Sequence, residues 1–105
     1  MKNVNILVLA DHAEILETII RLINKNDGWN GTGVASYDEA QEALKINKFD
    51  LVLLGVGVDD EAEAKILRLC ESVAPRTVCM RHYGGGSGLL SSEIQHALAQ
   101  RNLNA

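Results

Sequence analysis

Apolar positions fall into four short runs separated by longer segments of helical period. Val4-Asn5-Ile6-Leu7-Val8-Leu9 is β-branched and almost wholly apolar, as in a strand buried on both faces. Ile15, Ile19, Leu22 and Ile23 then recur at helical spacing, with Glu17, Arg21 and Lys25 between them. The spacing predicts an amphipathic helix over about residues 12–25, opened by Asp11-x-x-Glu14 and stopped by Asn26-Asp27-Gly28. A weak, glycine-bearing run near Gly31–Ala35 reads as an edge strand.

Ser36-x-x-Glu39 opens a second helix, whose apolar side carries Ala40, Ala43, Leu44 and Ile46. Phe49-Asp50-Leu51-Val52-Leu53-Leu54 is the strongest strand and is expected at the sheet centre. After the loop Gly55–Val58, the acids Asp59, Asp60 and Glu61 stand where a helix N-terminus favours negative charge. Ile66, Leu69, Cys70 and Val73 form the stripe of that third helix, which Ala74-Pro75-Arg76 ends. Thr77–Met80 is a fourth strand, the glycines of Gly84–Gly88 form a loop, and a last helix over about 89–99 buries Leu90, Ile94, Ala97 and Leu98.

Strands that alternate with helices predict an α/β parallel sheet covered on both faces, with right-handed crossovers. The 105 residues suit one domain, with no linker or repeat, and can bury a core without staples. The net charge of −4 and 4% aromatic content argue against nucleic acid and anionic membranes as partners. No signal segment or bilayer-length apolar stretch is legible, and two cysteines make neither a disulfide framework nor a zinc site. Cys70 and Cys79 read as reduced core thiols of a cytoplasmic protein.

Ile6-Leu7-Val8-Leu9-Ala10-Asp11-His12-Ala13-Glu14-Ile15 and Phe49-Asp50-Leu51-Val52-Leu53-Leu54-Gly55 together resemble the opening and the third-strand segment of response-regulator receiver domains. The resemblance implies a flavodoxin-like three-layer sandwich. Here it is truncated to four parallel strands in the order 2-1-3-4. It also implies a chemistry that this sequence departs from. Where the family holds Mg²⁺ with two acids after the first strand, the chain has Ala10 and Asp11. Gly55 stands in the place of the phosphoacceptor Asp, and Arg81 or His82 in that of a hydroxyl residue. Neither Lys nor Pro occurs after Pro75, where the family has a Lys-Pro pair.

Asp11 reads as the cap of the first helix or as a leftover metal ligand, and Asp59 and Asp60 as a solvated helix start or a cation site. His12 and His82 share the strand-end rim, but a strand lies between theirs, about 10 Å at ladder spacing, so they do not share one metal. The unusual segment is Arg81-His82-Tyr83-Gly84-Gly85-Gly86-Ser87-Gly88, on the rim where open α/β sheets bind ligands. It lacks the Lys-Ser/Thr of a P-loop. The expectation is a non-catalytic pseudo-receiver with no cofactor or metal, binding a signalling protein through Asp11, His12, Gly55 and residues 81–88. A homodimer through the fourth-strand edge is a further expectation. The alternative is a sensor of a small anion at the glycine loop, and a weaker one a hydrolase or transferase using His82 or His12.

Overall fold

The computed structural model describes residues 4–26, 28–55, 58–73, 77–81 and 94–98. Strand β1 (Val4–Leu9) leads through α1 (Ala13–Asn24) to β2 (Trp29–Val34) and α2 (Tyr37–Ile46). Strand β3 (Leu51–Leu54), α3 (Asp60–Val73) and β4 (Val78–Arg81) follow, and residues 94–98 are helical. All pairings are parallel, in the order β2-β1-β3-β4. Parallel neighbours need helical crossovers, and this is why helix and strand alternate along the chain.

Alternate strand residues serve opposite faces. Leu7, Leu9, Val52 and Leu54 pack with Ala40 and Leu44 of α2 and with Ile66 and Cys70 of α3. Ile6, Val8, Leu51 and Leu53 pack with Ile19 and Ile23 of α1 and with fully buried Ile94. Ala97 and Leu98 lean on that second core. Of the residues expected to bury on the last helix, Ile94 is buried, Ala97 and Leu98 are partly buried, and Leu90 lies outside the described residues. The layers are therefore helix, sheet, helix.

Glycines set the seat of α1. A Cβ on Gly31 would stand 3.2 Å from Ile20 and Ile23, and one on Gly33 3.1 Å from Leu16. Their absence lets α1 approach an edge strand whose own side chains contribute little. At the amino end, the Asp50 carboxylate accepts the Asn5 N–H at 2.9 Å, and the Asp50 N–H donates to the Asn5 carbonyl at 2.8 Å. Val78 N–H donates to the Asp50 carbonyl, and the Thr77 hydroxyl donates to the Phe49 carbonyl at 2.6 Å. These bonds pin the entrances of β1, β3 and β4 together.

Several expected details shift. Phe49 is buried ahead of β3 rather than within it. Ile46 is 75% exposed, because it lies two positions, about 200° of helix rotation, beyond buried Leu44. Val73, the last residue of α3, is 43% exposed.

Candidate functional site

The carboxyl ends of the strands form the rim from which α1, α2 and α3 depart. Ala10, just past the end of β1, is fully buried and still tied to β2, its N–H donating to the Val34 carbonyl at 3.2 Å. The chain therefore needs another residue to leave the sheet before it can coil. Asp11 takes that step and is exposed, and His12, with φ −108° and ψ 116°, is the N-cap of α1. The expectation that Asp11 caps this helix is corrected: His12 holds the cap position and makes no side-chain cap hydrogen bond.

The other two helix starts follow the sequence closely. Ser36 caps α2, its hydroxyl accepting the Glu39 N–H at 3.2 Å. The Glu39 carboxylate reaches back to the Ala35 N–H at 3.2 Å, one residue before the usual partner in a capping box. Asp59 caps α3, its Oδ1 accepting the Ala62 N–H at 2.8 Å. Asp60, Glu61 and Glu63 fill the first turn of α3, where the helix dipole favours them.

Gly55 is buried at the exit of β3, and its N–H donates to the Leu9 carbonyl at 2.7 Å. A Cβ placed there would lie 3.1 Å from the Ala10 Cβ, 3.4 Å from the Leu9 carbonyl oxygen and 3.6 Å from Ile19 Cδ1. The floor of the rim is thus apolar and filled. Beside the starts of α2 and α3 lies a cavity of about 330 Å³, lined by Leu9, Asp11, Ala35, Ser36, Tyr37, Val58, Asp59 and Ala62. It brings Asp11 together with Asp59, and neither Gly55 nor His12 lines it. Lys65 reaches over the Tyr37 ring, 5.7 Å from its centroid, and pairs with Glu61 at 3.7 Å.

Mg²⁺ binds hard oxygen ligands in near-octahedral geometry. Here Ala10 and Gly55 offer no side-chain oxygen, and Asp59 Oδ1 is already engaged in capping α3. The rim side chains do not fit that ion. Among the described residues no group of three or more His, Cys, Asp or Glu could hold a metal.

Arg81 is the last residue of β4, its backbone level with Leu54. β3 lies between β1 and β4, so Arg81 does not meet Asp11 across adjacent strands. His82, Tyr83, Gly84, Gly85, Gly86, Ser87 and Gly88 lie outside the described residues. Sequence reasoning missed Ser36, Tyr37 and Lys65 as rim residues. Tyr37 follows the recognised cap Ser36 directly, and Lys65 lies one turn beyond Glu61. Those two spacings were the available signal.

Among the described residues the parallel β2-β1-β3-β4 sheet between two helical layers matches the flavodoxin-like fold of receiver domains. The chain is similar to a CheY-like response regulator receiver domain protein from Methanospirillum hungatei JF-1. The TM-score is 0.80 at 14% identity, over 99% of this chain and 100% of that one. It is also similar to the signal receiver domain of an HD domain-containing protein from Pseudomonas fluorescens Pf-5. That match has a TM-score of 0.68 at 12% identity, over 96% and 98% of the two chains. A third similar structure is an adenylate cyclase from Rhodopirellula baltica, at TM-score 0.65 and 18% identity over 96% and 91%. At these identities the likeness is one of fold. No family profile and no curated protein matches the sequence. No helix among the described residues is long and apolar enough to cross a membrane.

Proposed function

We propose that the chain is a one-domain, truncated pseudo-receiver of the cytoplasm that regulates by binding another protein and catalyses nothing. The observation that carries this reading is Gly55, a buried glycine at the acceptor place, whose missing side chain would run into Ala10. A receiver scaffold with that floor keeps a rigid rim but lacks the group that receives phosphate. Loops on such a scaffold are where binding residues concentrate. The contact surface in this reading is the rim, with Asp11 and His12 exposed on it and buried Gly55 beneath, and Arg81, His82, Tyr83 and Gly84–Gly88 are assigned to it from the sequence. A two-fold homodimer through the edge of β4 belongs to the same reading, because β4 ends the sheet among the described residues.

Binding of a small anion at the glycine segment is the rival. The cavity lined by Asp11 and Asp59 does not favour an anion, since an anion there meets like charge. The test compares the wild-type chain with Asp11→Lys and with His82→Ala, each first shown to fold by circular dichroism. Proteins cross-linked to each in the native cell are then identified, and inorganic phosphate is titrated by calorimetry. A partner held by the wild type and lost by either variant supports the proposal. Equal capture by all three chains, or phosphate binding with no specific partner, overturns it.

A further inference from the structure

Cys70, near the end of α3, and Cys79, the second residue of β4, stand with their sulfurs 3.1 Å apart. Both thiols are free; Cys70 is buried and Cys79 half-buried. A disulfide is about 2.05 Å long, so the sulfurs must approach by only about 1 Å to bond. The two sit on different elements of one crossover, and both pack into the core on the α2 and α3 face of the sheet. Their contact arises from the fold, since nine residues of separation in the chain do not impose it. Zinc at a structural site takes four ligands, and among the described residues no third ligand joins these two thiols.

We propose that Cys70 and Cys79 are a two-electron redox site, a dithiol that closes to an intramolecular disulfide under a hydroperoxide. The Cys79 S–H donates to the Cys70 sulfur. That bond holds the Cys70 thiol below its ordinary pKa, against an opposing push from burial. The same bond, with burial and the charge of Cys70 added, pushes the Cys79 thiol up. Cys70 is therefore the more acidic of the two thiols and the one that supplies the thiolate, the nucleophile of this chemistry. The Cys70 thiolate attacks one peroxide oxygen; an S–O bond forms, the O–O bond breaks, and the leaving hydroxide is protonated to water. Cys79, deprotonated as it reacts, then attacks the Cys70 sulfenic acid; the S–S bond forms and the oxygen leaves as a second water. Two thiols and one peroxide become one disulfide and two waters, the sulfurs losing two electrons and the peroxide gaining them. The bond ties α3 to β4 two residues before Arg81, so it restrains the strand that leads into the proposed contact segment. The redox site itself does not depend on that function.

The test uses the full native chain treated with hydrogen peroxide, with intact mass and thiol alkylation read before and after dithiothreitol. The expected result is a monomer lighter by two hydrogens, both cysteines lost to alkylation and both regained on reduction. Peptide mapping should return residues 70 and 79 joined, and the melting temperature should rise on oxidation. Cys79→Ser under the same treatment should gain oxygen on Cys70 instead. Persistence of two alkylatable thiols, or a bond only between two chains, would overturn the proposal.

Discussion

Gly55→Ala probes the closed floor of the rim. The backbone at Gly55 does not have the positive φ that would itself exclude alanine; among the described residues that conformation occurs at Gly28. Only the neighbours resist. Carbon–carbon contacts are most favourable at about 3.5–4.0 Å. The new methyl would stand 3.1 Å from the Ala10 Cβ. Ala10 is fully buried and has no side-chain torsion with which to move aside, so backbone must shift. Overpacking of this kind costs about 1–3 kcal/mol. Loss of glycine's freedom in the unfolded chain returns about 0.4–1 kcal/mol. The net expectation is a loss of about 1 kcal/mol, or about 4–8 °C in melting temperature for a domain this size. Urea unfolding with an unchanged m-value, beside calorimetry, reads it. In an Ala10→Gly background the same change should lose most of its penalty. If Gly55→Ala is as stable as the wild type, or Ala10→Gly brings no relief, the floor is not closed by Ala10 and the reasoning fails.

Three further expectations concern the frame around the rim. Ser36→Ala should cost about 1 kcal/mol, because it frees the Glu39 N–H, whereas Asp11→Ala should stay within about 0.5 kcal/mol. Equal losses in denaturant titrations of the two would contradict the assignment of caps. Ile66→Ala, at a fully buried site between α3 and the sheet, should cost about 3 kcal/mol, and an unfolding midpoint that barely moves would place Ile66 outside the core. Sedimentation equilibrium should show a two-fold dimer through β4, and a monomer at high concentration removes that part of the proposal.

The strand order was legible because four apolar runs alternate with helical periods, and parallel crossovers leave few arrangements. Ser36 was legible because its hydroxyl and Glu39 satisfy backbone donors within a few residues. Asp11-x-x-Glu14 presents a similar local pattern, yet a bond to Val34 holds Ala10 against β2, and the helix starts one residue later than the pattern suggests. That delay is a tertiary effect with no local signal. Gly31 and Gly33 looked like weakness in a strand and turn out to be clearance for α1. The pairing of Asp11 with Asp59 across one cavity, and of Cys70 with Cys79, joins residues from different crossovers or elements. Such contacts follow from the fold and leave no mark in spacing.

The central claim, a receiver scaffold without phosphoacceptor chemistry, is tested most directly by incubating the intact chain with Mg²⁺ and a small acyl phosphate. Intact mass is then read at neutral pH. Gly55 has no side chain to modify, and Asp50, the nearest acid along β3, lies at the opposite end of that strand, bonded to Asn5. The account predicts a mass that does not change. A mass increase of one phosphate, mapped to Asp11 or Asp50, would contradict it.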